Sequence, residues 1–312
     1  MSTSTSENVF TILAFDQRSS YRRLLPEGTL YDSAVQIKCE VVDALSPYTS
    51  AVLLDPYYGF RPAMEGARSG GLLMALENSG YVGEPTYRRV SFDPDWTVGK
   101  IKRLGASAVK LLVYYHPDAG DLADELEEMM ADIIAECHHF DLPIFLEPIS
   151  YSLEASQPKS SVAFAETRPA VVRETARRLS RLGADVLKLE FPIDPALDPN
   201  EQTWEVACQD VSAACSAPWV LLSAGVDFEM FARQARVACR AGASGFLAGR
   251  AIWKEITTLA PAARARFLED AAIPRIKKLV DIAVRSARPW TDFYSPQPAR
   301  EDWFRAYPAL SA

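Results

Sequence analysis

The chain has 312 residues, 48% of them hydrophobic and 24% charged, with a net charge of −8. That length supports a sizeable buried core. The acidic balance, with no long Lys/Arg block, argues against nucleic acid or an anionic membrane as the main partner, though a local pocket could still be positive.

The opening stretch "MSTSTSENVF" is polar and has no apolar signal core. No apolar run reaches membrane-spanning length, so the chain reads as cytoplasmic with no membrane contact. The five cysteines, Cys39, Cys137, Cys208, Cys215 and Cys239, are odd in number and contain no CxxC. They read as buried cytosolic thiols. His116, His138 and His139 form no HxH or HxxxH pair, which disfavours metal chemistry through a histidine cluster. No metal and no cofactor are expected.

One rhythm runs from near residue 10 to near residue 285. Eight short apolar runs, "FTILAFD", "SAVLLDP", "GLLMALE", "AVKLLVYY", "PIFLEPI", "DVLKLEFP", "WVLLSAG" and "GFLAGR", alternate with longer amphipathic stretches. The runs are rich in Val, Ile, Leu and Phe, as strands covered on both faces should be. Helices are expected over residues 32–46, with Asp32 as N-cap, and over 93–104, with Asp93 and Pro94 at the start. Further helices are expected over 121–140, 169–182, 202–215 and 228–241. Gly105, Gly183 and Gly242 each fall between a helix and the next strand, where a left-handed C-cap is expected. The third unit is the weakest.

Strand then helix, eight times, predicts an α/β fold: a (β/α)8 TIM barrel over residues 1–290, as a single domain. An irregular C-terminal tail, residues 291–312, is expected on the surface or over the barrel mouth. A doubly wound open sheet is the alternative, but no GxGxxG follows the first strand.

Active sites of such barrels sit at the C-terminal strand ends. There the sequence places Asp16, Gln17 and Arg18, then Asp55, Lys110, Glu147, Lys188 with Glu190, Ser223-Ala224-Gly225, and Gly249-Arg250. Side-chain alternation puts Val186, Lys188 and Glu190 on one face, against Leu187, Leu189 and Phe191 on the other. It groups Lys110 with Leu112 and Tyr114, and Glu147 with Phe145. A buried ion network that merely plugs the barrel would also use such charges. Two lysines and a carboxylate on three consecutive strands favour chemistry. A desolvated lysine near another cation loses its proton more readily and can attack a ketone to form a Schiff base. A neighbouring carboxylate can carry the protons. We take Lys188 as the nucleophile, Lys110 as the cation that tunes it and Glu147 as acid/base, although periodicity alone does not rank Lys188 over Lys110. The small residues at the seventh and eighth ends, with Arg250, suit a phosphate.

These motifs, with "LAFDQRSSYRRLL", "VLLDPYYG", "LLMALENSGY", "IFLEPISY" and "GRAIWKE", resemble the class I tagatose-1,6-bisphosphate aldolase family over roughly residues 8–290. The resemblance implies a (β/α)8 barrel with the Schiff-base lysine at Lys188, the acid/base glutamate at Glu147 and a second active-site lysine at Lys110. It implies that Asp16, with Gln17 and Arg18 beside it, is a catalytic residue that contacts substrate hydroxyls and the amine. It assigns phosphate contacts to Ser223–Gly225 and Arg250. It implies cleavage of a ketose phosphate to dihydroxyacetone phosphate and an aldehyde such as glyceraldehyde 3-phosphate, by a homodimer or higher homo-oligomer. The short segment between strands six and seven is similar to sulfofructose-phosphate aldolases, which would give sulfolactaldehyde instead. A phosphosugar isomerase or epimerase, or a non-catalytic sugar-phosphate sensor, are the alternatives of another class.

Overall fold

A computed structural model describes residues 2–66, 70–294 and 301–306. Among these residues ten strands run in chain order: β1 (Phe10–Phe15), β2 (Ala51–Leu54), β3 (Gly71–Ala75), β4 (Val82–Glu84), β5 (Tyr87–Arg89), β6 (Ala108–Tyr114), β7 (Ile144–Ile149), β8 (Val186–Leu189), β9 (Trp219–Leu222) and β10 (Gly245–Ala248). β4 and β5 form a separate two-stranded antiparallel hairpin. The other eight are all parallel and close into a barrel in sequence order, with β10 returning to β1. The eight apolar runs are therefore the eight barrel strands, and the fold is the TIM barrel. The hairpin is not among the expected elements; its three-residue strands carry no apolar run.

Among the described residues the α-helices are α1 (Ser19–Arg22), α2 (Tyr31–Leu45), α3 (Phe60–Glu65), α4 (Val98–Arg103), α5 (Asp121–His139), α6 (Val162–Leu179), α7 (Glu201–Ala214), α8 (Phe228–Arg240), α9 (Arg250–Trp253), α10 (Pro261–Phe267), α11 (Ile273–Ser286) and α12 (Trp303–Ala306). Three starts differ from expectation. α2 is capped by Leu30 without a side-chain bond, and Asp32 lies in the first turn, where its charge favours the helix dipole. Asp93 accepts from the Asp95 N–H at 2.9 Å and makes a turn; α4 begins later, with Thr97 accepting from the Lys100 N–H. α6 begins at Val162 because Ser161 Oγ accepts from the Phe164 N–H, leaving Pro169 inside the helix. Gly105, Gly183 and Gly242 have positive φ, as helix C-caps expect.

The core has two layers. Phe10, Ile12, Leu53, Leu73, Phe145, Val186, Val220 and Leu247 fill the barrel interior. Leu187, Leu189, Phe191, Trp204 and Trp219 belong to the larger layer between barrel and helices. Lys188 thus sits on the strand face of Val186, pointing inward as alternation requires.

Residues 290–294 run away from the mouth. Trp290 packs against the inner layer, its backbone N–H donates to Asn8 O at 2.9 Å, and Tyr294 Oη donates to Asp185 O at 2.7 Å. Asn8 and Asp185 precede β1 and β8, so this segment closes the opposite end of the barrel. Residues 295–300 and 307–312 of the expected tail lie outside the described residues. Among the described residues, no helix is long and apolar enough to cross a membrane.

Candidate active site

A cavity of about 580 Å³ opens at the C-terminal ends of the strands. At its floor, three cations meet three carboxylates. Lys110 Nζ lies 2.8 Å from Asp16 Oδ2, 2.8 Å from Glu77 Oε1 and 2.9 Å from Glu147 Oε2. Lys188 Nζ lies 2.9 Å from the same Glu147 oxygen. Arg18 reaches Glu77 at 3.3 Å, and Glu77 Oε2 also accepts from the Leu112 N–H at 3.0 Å. All but Arg18 are buried.

The strands explain the convergence. Lys110 lies mid-strand in β6, Glu147 in β7 and Lys188 in β8, each on the inward face of its strand. Register then sets adjacent strands so that one carboxylate reaches both amines. Burial alone would lower the Lys110 pKa, but Asp16, Glu147 and Glu77 outweigh it and hold the ammonium charged well above the ordinary lysine range. Burial alone would raise the Asp16 carboxyl; the charges of Lys110, Lys188 and Arg18 outweigh it and hold the carboxyl well below its usual range. The ammonium of Lys110 is thus surrounded by three carboxylates.

The mouth is lined by Gln17, Arg23, Asn78, Ser79, Tyr81 and Tyr114 on one part of the rim, and by Ser223, Ala224, Gly249 and Arg250 on another. Ser223 Oγ accepts from the Gly249 N–H at 3.3 Å, tying the ends of β9 and β10. Gly225 does not line the cavity. Its φ is +80°, and a Cβ there would fall 3.0 Å from the Arg250 guanidinium carbon, so glycine lets Arg250 lie against the turn. Ala224 takes a left-handed φ of +47°, uncommon for a side chain with a Cβ. Arg23 and Arg250 have no carboxylate partner among the described residues. Asp16 Oδ1, Gln17 Oε1 and Arg18 Nε are buried without hydrogen-bond partners among the described residues; such groups are costly unless a ligand satisfies them.

Two further expected residues lie elsewhere. Asp55 is fully buried outside the cavity: Oδ2 pairs with Lys38, and Oδ1 accepts from the Tyr57 and Tyr58 N–H groups at 2.8 Å. Glu190 does not share the Lys188 pocket. β8 ends at Leu189, and Glu190 turns to accept from the Ser150 N–H at 2.8 Å and to pair with Lys159. Burial alone would raise its carboxyl, but Lys159 and Arg168 overcome that and lower it. His116 is buried, accepts from the Asp118 N–H, and does not line the cavity. Sequence reasoning missed Glu77, Arg23, Asn78, Ser79 and Tyr81. For Glu77 the signal existed: it follows Leu73 and Ala75 in the same alternation.

A family model described as DeoC/LacD family aldolase matches residues 10–255. The chain is 32% identical over 311 residues to "Tagatose 1,6-diphosphate aldolase 2" of Streptococcus mutans, covering 93% of this chain and 94% of that protein. It is 33% identical over 309 residues to "Tagatose 1,6-diphosphate aldolase 1" of Streptococcus pyogenes, covering 92% and 94%. Among solved structures, an archaeal fructose 1,6-bisphosphate aldolase has the same fold, with TM-score 0.60 and 20% identity, covering 91% of this chain and 96% of that one.

Proposed function

This chain belongs to the DeoC/LacD aldolase family, and on that premise we propose that it cleaves a ketose phosphate through a Schiff base on Lys188. It is an aldolase, a carbon–carbon lyase. The model substrate is tagatose 1,6-bisphosphate, cleaved to dihydroxyacetone phosphate and glyceraldehyde 3-phosphate.

The observation that carries this reading is the shared carboxylate oxygen: Glu147 Oε2 lies 2.9 Å from both Lys188 and Lys110. Lys110 is locked as an ammonium by three carboxylates, which leaves Lys188 as the amine able to react. Glu147 takes the proton that Lys188 must lose. The free amine attacks the C2 carbonyl, and protonated Glu147 returns its proton to the carbinolamine hydroxyl, which leaves as water. The resulting iminium is the electron sink. Glu147, again a carboxylate, accepts the C4 hydroxyl proton; the C3–C4 bond breaks, its electrons move into the iminium as an enamine, and the aldehyde departs. Protonation and hydrolysis of the enamine release dihydroxyacetone phosphate and Lys188. Asp16, Gln17 and Arg18 meet substrate hydroxyls through their unpartnered buried atoms.

The turn at Ser223–Ala224, with Gly249 and Arg250, is assigned to the C1 phosphate. Arg23 is the second cation without a carboxylate partner in the lining, which suits a second anionic group at the far end of the sugar. A sulfonate would meet the same guanidinium. Two experiments test the proposal. Lys188→Met should abolish cleavage while leaving the circular dichroism spectrum unchanged; retained turnover rejects the nucleophile. Ketose 1-phosphates bearing phosphate, sulfonate or hydroxyl at C6 should be ranked with the C6 anion favoured by kcat/KM; equal rates with the hydroxyl reject the second anionic group.

A further inference from the structure

Lys38 and Asp55 form an ion pair that the chemistry above does not use. Both side chains are 0% exposed, in the layer between α2 and the barrel, and neither lines the cavity. Burying such a pair is not a route to stability, because well-packed apolar residues of similar volume do as well or better. Its geometry gives it another use. Lys38 Nζ donates to Phe15 O at 2.6 Å and to Gln17 O at 3.1 Å, the carbonyls on either side of Asp16. Its third partner is Asp55 Oδ2. The ammonium therefore has three oxygen acceptors, as many as it has N–H groups. The rings of Phe15, Tyr21 and Tyr58 flank it at 4.5–5.5 Å. Asp55 in turn holds the chain after β2 through the Tyr57 and Tyr58 amides. Just beyond the last residue of β1, where the barrel ladder stops constraining the chain, the backbone on both sides of Asp16 is thus clamped. Asp16 projects from that clamped segment to within 2.8 Å of Lys110.

We propose that Lys38, anchored by Asp55, is a positioning residue for the aldol reaction, fixing Asp16 at the cavity by holding the carbonyls on either side of it. The inference rests on the reading of Asp16 as a substrate contact. Lys38 touches no substrate and acts through Asp16.

The test is the paired variant Lys38→Met/Asp55→Asn, which removes the clamp and leaves no unpaired charge, while the amide oxygen of the introduced asparagine can still cap the turn. Displacing a catalytic group by about 1 Å can cost on the order of 100-fold in rate. The expected result is kcat lowered roughly 10- to 100-fold with KM within about threefold and a cooperative thermal melt retained. A merely structural role would not produce the second readout. Added to Asp16→Asn, the paired variant should cause no further loss of kcat, because both changes remove the same interaction. Wild-type kcat in the paired variant, or losses that multiply with Asp16→Asn, overturns the proposal. Should the paired variant not fold, Lys38→Arg keeps the charge facing Asp55 and alters the carbonyl geometry; the same kcat loss, absorbed by Asp16→Asn, is expected, and multiplying or absent losses overturn the proposal. Asp16→Asn alone separates the two readings. If it leaves turnover unchanged, the role of Asp16 and the positioning role both fall. If it is costly while the clamp variants are not, only the positioning role falls.

Discussion

Removing the Glu77 carboxylate should be felt in stability. The floor of the site is balanced, with Arg18, Lys110 and Lys188 facing Asp16, Glu77 and Glu147. Glu77 is 3% exposed and meets Lys110 at 2.8 Å. At an effective dielectric of about 20, that contact carries roughly 6 kcal/mol of attraction before desolvation is counted. Glu77→Gln keeps the shape but leaves one buried positive charge in excess, and gives up either the Lys110 contact or the Leu112 N–H. Breaking a buried pair by removing one partner costs about 3–5 kcal/mol. At roughly 2 °C per kcal/mol for a domain of this size, the melting temperature should fall by about 6–10 °C. Differential scanning calorimetry reads this directly. Restoring the balance with Arg18→Met/Glu77→Gln should recover part of the loss. A fall of under about 2 °C for Glu77→Gln, or a double variant that loses the full sum of the two single variants, refutes the balanced-cluster account.

Three further outcomes follow from the same geometry. Asp16 and Glu190 have pKa values depressed below their usual 3.8 and 4.5. Depressed carboxyls stabilise above their unfolded pKa and lose that contribution as pH falls toward the folded value. The melting temperature should therefore drop as pH is lowered below about 4.5, less steeply for Asp16→Asn; identical slopes reject the ion-paired state of Asp16. Gly225→Ala places a Cβ 3.0 Å from the Arg250 guanidinium, at a φ of +80°. KM for a ketose phosphate should rise by about tenfold with kcat little changed, as loss of uniform binding requires; an unchanged KM removes Arg250 from phosphate binding. Arg23→Met should weaken a substrate anionic at C6 more than one with a hydroxyl there; equal effects on both reject Arg23 as the far-end contact.

The barrel was legible because strands buried on both faces read as uninterrupted apolar runs, and because Gly105, Gly183 and Gly242 punctuate helix ends. Helix starts were less legible. Asp93-Pro94 and Pro169 look like N-terminal signals, but Thr97 and Ser161 are the side chains that accept from the first-turn N–H groups. Alternation brought Lys110, Glu147 and Lys188 to one face correctly, since each lies within its strand. Past the last strand residue it fails selectively. Asp16 and Glu77 keep the inward direction because Lys110 holds them. Asp55 and Glu190 have the same parity but are drawn outward by Lys38 and Lys159. Those captures could not be read in advance: Lys38 lies on a helix, where a lysine ordinarily reaches solvent. Arg23, beyond a four-residue helix, has no periodicity to point it at the cavity.

Borohydride reduction in the presence of dihydroxyacetone phosphate, followed by peptide mass mapping, addresses the Schiff base itself. The expected product is a single reduced adduct on the peptide containing Lys188, with Lys110 unmodified because three carboxylates keep it an ammonium. An adduct on Lys110, or substrate turnover under conditions that leave Lys188 unmodified, contradicts the mechanism.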